Sequence, residues 1–214
     1  LEQLEQADAW LDTAISQAAN NGDRAAQLRH SRDRALLLLG FWRGFRSDEL
    51  ARLEVNYITV VPGAGMTCFF PQTKGDRQLK GTTFKAPALS RLCPVSAFSA
   101  WVSLAGLESG AVFRPVDRWG YIGPDGLHID SIVPLIRRIL TQAEIPSANL
   151  YSGHSMRRGF AHWATANGWD LKTLMEYVGW KNVNSAMRYM ESADPFSKRQ
   201  IESNLPPLLI SSEN

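Results

Sequence analysis

The 214 residues are 44% apolar and 21% charged, an ordinary globular mixture for one large domain or two small ones. No apolar run approaches the ~18 residues of a membrane span. Cys68 and Cys93 have neither metal-site spacing nor a disulfide framework, so reduced thiols and a cytoplasmic setting are expected. Glu2, Glu5, Asp8 and Asp12 meet no base in the first twelve residues, so of the formal net charge of +2 the rest of the chain carries +6. From Gln72 to Arg91, Lys74, Arg77, Lys80, Lys85 and Arg91 stand against Asp76 alone. That excess suits a polyanionic partner; a solvated surface hairpin explains it equally well.

Leu4, Ala7, Leu11, Ala14, Ile15 and Ala18 recur at helical spacing and predict an amphipathic helix over 3–19, ended by Asn20-Asn21-Gly22-Asp23. Ser31 is the expected N-cap of a second helix running to Trp42, apolar on nearly every side and so buried. Gly44 interrupts it, and Ser47-Asp48-Glu49-Leu50 starts a short third helix. Tyr57–Val61 and Met66–Phe70 read as strands across a Pro62-Gly63-Ala64-Gly65 turn, with Thr82–Lys85 as a third. Pro94 opens a helix to Ala105. Residues 106–129 read as loop with one short strand at Ala111–Phe113. Four helices follow, marked by Ile132 to Ala143, Met156 to Ala164, Leu171 to Val178 and Val183 to Met190. Helices, sheet, helices is the order of a mostly α domain with a small antiparallel β-sheet, an α+β class.

Several polar residues fall outside these apolar stripes. Tyr189 lies off the stripe of Val183, Ala186, Met187 and Met190, where a core tyrosine would not be placed. In Ser152-Gly153-His154-Ser155-Met156-Arg157-Arg158, His154 and Arg157 are i, i+3 neighbours at a helix N-terminus, where free N–H groups favour an anion. A capping histidine and a surface arginine explain them too. Arg46 has Glu49 three residues on, which is either an exposed ion pair or a guanidinium held so that its fork can take a phosphate.

Taken in order, these segments resemble the tyrosine site-specific recombinases, the phage integrase family, over roughly residues 30–193. Phe45-Arg46-Ser47-Asp48-Glu49-Leu50 resembles the family's first-arginine box, Thr73-Lys74-Gly75 its Thr-Lys hairpin, and Gly153-His154-Ser155-Met156-Arg157 its Gly-His-x-x-Arg box. Val178-Gly179-Trp180-Lys181-Asn182-Val183-Asn184 resembles its Gly-His/Trp box, and Met187-Arg188-Tyr189-Met190, nine residues after Trp180, its nucleophile box. Gly75 stands where the family more often has Thr.

The resemblance implies the recombinase catalytic-domain fold and a reaction. Tyr189 would attack a scissile DNA phosphate, leaving a 3′-phosphotyrosyl link and a free 5′-hydroxyl. His154 would be the proton acceptor or a hydrogen-bond partner, and Lys74 would protonate the leaving 5′-oxygen. Arg46 and Arg157 would hold the nonbridging oxygens, Trp180 would offer its indole N–H, and Glu49 would orient Arg46. Arg77, Lys80 and Arg158 would add phosphate contacts. No metal, ATP or other cofactor is implied. The partner would be double-stranded DNA, with a homotetramer on synapsed sites and a monomer for the free chain.

Starting at Leu1 rather than Met, the chain is expected to be a fragment: residues 1–29 an N-terminal helix and linker to a core-binding domain, 30–193 the catalytic domain, and 194–214 a C-terminal helix and tail. Leu208, Leu209 and Ile210 of that tail are expected to dock on a neighbouring protomer on synapsed DNA, as the resemblance implies, with docking in cis or disorder as the alternative in a free monomer. Rival readings are a type IB topoisomerase-like relaxing enzyme, a DNA-binding relative that no longer cuts, and a helical protein-interaction module.

Overall fold

A computed structural model describes residues 1–71 and 81–190. Lys74, Arg77 and Lys80, and the predicted helix and docking tail over 194–214, lie outside the described residues.

Helix α1 (Glu2–Asn20) buries Leu4, Ala7, Leu11 and Ala18, the stripe that its spacing predicts. It lies along α2 (Arg24–Arg43), pinned by an ion pair from Arg34 Nε to Asp8 Oδ1 of 2.7 Å. Gln6 Nε2 also donates to the Ala143 carbonyl at 2.7 Å.

The start of α2 corrects the expectation at Ser31. Asp23 is the N-cap, accepting from Ala26 N at 2.9 Å, and Ser31 is buried inside the helix. The start of α2 buries Ala25 and Leu28 among many polar residues, two of which bond to distant loops. Arg29 donates to the Asp117 carbonyl and Arg32 to that of Arg114, at 2.8 and 3.0 Å. From Ala35 to Arg43 every residue is buried, as the all-round apolar run predicts. The helix ends at Gly44, whose φ of 56° is the left-handed cap that glycine adopts without a Cβ clash. The short helix α3 (Ser47–Ala51) follows at once.

The sheet is antiparallel in the order β1 (Ile58–Val61), β2 (Gly65–Phe70), β3 (Thr82–Pro87). Its register pairs Thr59 with Thr67 and Cys68 with Phe84. Met66, Cys68 and Phe70 of β2 and Phe84 and Ala86 of β3 face inward, the period-2 pattern of a sheet buried on one face. Phe45, just past α2, meets Phe70 and Phe84 edge-on at 5.6 and 5.4 Å, which docks the sheet against the α2–α3 junction.

Helix α4 (Pro94–Ala105) begins on its proline, as predicted. The expected strand at Ala111–Phe113 does not form: Ala111 makes a single bridge to Glu54. Val112 is instead held as a buried loop, donating to the Leu53 carbonyl and accepting from Trp101 Nε1, both at 2.8 Å. Helices α5 (Ile129–Gln142), α6 (Ser155–Ala166), α7 (Leu171–Val178) and α8 (Val183–Met190) complete the described residues, α8 packing on α6 and α7. One apolar core joins α1 and α2, the sheet and these last helices. Among the described residues no helix is long and apolar enough to cross a membrane.

Candidate active site

The C-terminal end of α2, the start of α3 and the start of α6 converge around one carboxylate. Glu49 sits one turn into α3 and reaches back to the helix start, where its Oε2 accepts from the Arg46 backbone N at 2.7 Å. Its Oε1 accepts from Arg46 Nη1 at 2.9 Å, and Oε2 also accepts from Arg157 Nη2 at 3.1 Å. Arg157 Nε donates to the Gly44 carbonyl at 2.6 Å. One buried carboxylate thus fixes two guanidiniums in place.

The two arginines differ in exposure. Arg157 is 1% exposed and Arg46 41%. The sequence places Arg157 beside His154 on a polar side of its helix. In the fold His154 stays exposed while Arg157 turns inward, where its polar partners are the Gly44 carbonyl and Glu49. Nor is the Arg46–Glu49 pair a plain surface ion pair, because Glu49 is buried and shared. With two guanidiniums against one carboxylate, the cluster keeps a net positive charge and suits a partner rich in acceptor oxygens.

Gly153 lets α6 approach this cluster: a Cβ there would lie 3.0 Å from Ser47 Oγ. His154 caps α6 and is exposed. Its pKa is lowered, first by burial and then by the positive charges of Arg157, Arg46 and Arg158, so the imidazole is held neutral beside the arginines. Arg158 is exposed, with Nη2 donating to Ser155 Oγ at 3.5 Å. Trp180, between α7 and α8, is buried with its ring 5.9 Å from Arg157 Cζ.

The structure therefore brings Arg46, Glu49, His154, Arg157 and Trp180 into one neighbourhood. Tyr189 lies on α8, and its side chain is outside the described part, as are Lys74, Arg77 and Lys80. Lys85 is exposed on β3 opposite Thr67. Among the described residues no group of three or more His, Cys, Asp or Glu side chains has the arrangement of a metal site. Sequence reasoning missed Arg43, a buried charge that closes the apolar run 35–42 of α2.

The phage integrase family model matches residues 13–195. The chain belongs to the phage integrase family. The Integrase/recombinase xerD homolog of Selenomonas ruminantium is 30% identical over 167 residues, covering 77% of this chain and 48% of that protein. The Recombinase cre of Escherichia phage P1 is 26% identical over 205 residues, covering 90% and 59%. The chain thus spans about half the length of the curated relatives it matches. In fold it matches XerH site-specific recombinase bound to palindromic difH substrate in a post-cleavage complex, with a TM-score of 0.63 at 20% identity over 94% of this chain and 50% of that one. XerA recombinase matches with a TM-score of 0.63 at 19% identity over 87% and 63%. The mostly helical architecture with its three-stranded sheet is that of a phage integrase family, or tyrosine recombinase, catalytic domain; enzymes of the family break and rejoin DNA.

Proposed function

We propose that this chain is the catalytic part of a site-specific DNA recombinase or integrase that cleaves and rejoins DNA through a 3′-phosphotyrosyl intermediate at Tyr189. The observation that carries the reading is the pair of guanidiniums, Arg46 and Arg157, fixed by Glu49 beside a neutral His154. A scissile phosphodiester presents two nonbridging oxygens whose charge grows as a fifth oxygen adds. Preorganised guanidiniums meet that charge without reorganising. A tyrosine of ordinary pKa, about 10, is a poor nucleophile until its proton has somewhere to go. His154, kept neutral by its neighbours, accepts that proton or hydrogen-bonds to the phosphate, and Lys74 protonates the 5′-oxygen as it leaves. The phosphotyrosyl bond conserves the phosphodiester energy, so a second strand's 5′-hydroxyl reverses the step without ATP. Arg77, Lys80 and Arg158 add contacts to flanking phosphates.

The partner is double-stranded DNA. Support comes from relatives: the XerH structures are complexes with their difH substrate, before and after cleavage. Residues 30–193 form the catalytic unit and 1–29 lead to a core-binding domain, with synapsis as a homotetramer on cytoplasmic DNA. A suicide duplex with a nick beside the scissile phosphate tests the reading: a covalent complex on a denaturing gel supports it, and its absence removes it. Exchange between two sites separates a recombinase from a topoisomerase-like enzyme, which rejoins the same strand.

Two further results are expected. The phosphate charge is taken up by arginines, so adduct formation should proceed undiminished in EDTA; a strict Mg²⁺ requirement for the chemical step would contradict this account. The rate should also follow the neutral form of His154. Because burial and three guanidiniums lower its pKa, that form persists to lower pH than in an ordinary histidine, and the acid limb should fall below about 6.5. Arg158→Ala removes one of those charges, so it should move the limb upward; a limb above 6.5 in the unaltered protein would exclude His154 as the group.

A further inference from the structure

Arg43 is the last residue of α2 and is 2% exposed. Among the described residues no carboxylate lies within ion-pair distance of it, and its Nε has no hydrogen-bond partner. Glu49 acts on it only through space, its oxygens being engaged by Arg46 and Arg157. Cys68, buried nearby, has its pKa pushed up to about 12 by burial, so it stays a neutral thiol and gives Arg43 no counter-charge. A leucine or methionine would fill this place without the desolvation penalty of a cation. What the cation does there is visible in its contacts.

Its Cζ lies 4.0 Å from the centroid of the Tyr177 ring, 5.1 Å from Phe84 and 5.8 Å from Phe45, a box of three aromatic rings. Its Nη2 donates to the carbonyl of Tyr177. That carbonyl belongs to the last turn of α7, where the backbone runs out of N–H partners and the helix dipole is negative. The Met175 carbonyl is taken by Gly179 N and Trp180 N as the chain turns, both at 2.9 Å. Arg43 takes the Tyr177 carbonyl. Three residues beyond Tyr177 stands Trp180, and α8, which carries Tyr189, begins at Val183. On the other side of Arg43, the next residue, Gly44, gives its carbonyl to Arg157. Gly44 is wedged between the two: a Cβ there would lie 3.5 Å from Val178 Cγ1 and 3.6 Å from Arg157 Cγ.

We propose that Arg43 is a positioning residue that clamps the end of α7 to the end of α2, and so sets Trp180 and the start of α8 against the Arg46–Glu49–Arg157 cluster. The inference rests on the DNA-cleaving reading of that cluster. Arg43 touches no reacting atom in this account. Its cation stacks in the aromatic box and satisfies a helix-terminal carbonyl at once, which a leucine or methionine would not do. The junction it holds joins the end of α7 to the end of α2, 134 residues apart in sequence. Displacing reacting groups by about an ångström can slow an oriented reaction about a hundredfold, whereas binding through phosphate contacts elsewhere is unaffected.

The test compares the unaltered protein with Arg43→Met and Arg43→Lys. It measures single-turnover adduct formation on the suicide duplex at saturating DNA, below the lowest melting temperature of the set, together with noncovalent DNA affinity. Arg43→Met should lower the maximal rate at least about tenfold and leave Kd within about twofold, the split expected of a residue acting on the chemical step. Arg43→Lys, which keeps the charge and the ring contact, should restore the rate to within about threefold. An Arg43→Met protein with a lower melting temperature but an unaltered maximal rate would overturn the proposal, since Arg43 would then serve stability alone. Should Arg43→Met fail to fold, Tyr177→Leu, which removes the closest ring and leaves the carbonyl, is read beside Arg43→Lys. A lowered maximal rate for Tyr177→Leu with a native circular dichroism spectrum supports the clamp, and an unaltered rate for Tyr177→Leu overturns it. Failure of the unaltered protein to form any adduct is a separate result, which defeats the functional reading itself.

Discussion

Replacing Glu49 with alanine is expected to damage stability and chemistry together. Its carboxylate accepts from the Arg46 backbone, the Arg46 guanidinium and the Arg157 guanidinium. Arg157, 1% exposed, has no access to water that could replace the lost charge. Removing one partner of a buried pair typically costs about 3–5 kcal/mol, because it leaves the other charge uncompensated. Both guanidiniums also lose the group that sets their pose, so adduct formation should fall about a hundredfold or more. Denaturant unfolding followed by circular dichroism measures the first effect and single-turnover cleavage the second. Glu49→Gln preserves shape and one acceptor oxygen, so it should retain the Arg46 backbone bond and fall between alanine and the unaltered protein. Unaltered stability and rate in Glu49→Ala would mean that the carboxylate holds neither arginine.

Tyr189→Phe should abolish the covalent protein–DNA complex, by at least about a thousandfold, while DNA binding survives. The phenyl ring preserves the packing volume and removes only the hydroxyl. By sequence spacing Tyr189 falls off the stripe of Val183, Ala186, Met187 and Met190, so no core role is expected for its hydroxyl. A retardation assay and a denaturing gel with the same nicked duplex separate binding from cleavage. A persistent adduct would move the nucleophile to another side chain.

The site was more legible in the sequence than its surroundings were. Arg46 and Glu49 are three residues apart in one helical start, and His154 and Arg157 in another. Within a helix that spacing fixes which side chains can meet. It could not show that the two starts share a carboxylate, because that depends on Gly44 and Arg157 meeting across 113 residues of chain. The burial of Arg157 was hidden for the same reason. An arginine on a polar stripe reads as exposed until the element opposite it is known. The early start of α2 was missed because its buried Ala25 and Leu28 stand among Arg24, Gln27, Arg29 and Arg32, and the acceptors of Arg29 and Arg32 lie 88 and 82 residues away, in the loop carrying Arg114 and Asp117. The apparent strand at Ala111–Phe113 has strand composition, but its backbone bonds go to Leu53, a tryptophan side chain and Leu127 rather than to a neighbouring strand. Arg43 left one local trace, a charge at the end of a run of buried apolar residues. Its meaning depended on Tyr177, far along the chain.

The central claim is that this fold joins DNA to Tyr189. The most direct measurement traps the protein on a suicide duplex, digests the complex with trypsin and locates the nucleotide by mass spectrometry. Cleavage after Arg188 and Lys198 isolates Tyr189 as the only tyrosine in its peptide, residues 189–198. The account predicts a 3′-phosphonucleotide mass on that peptide and its absence from every other. Linkage to a different residue, or a 5′-phosphate attachment, would contradict it.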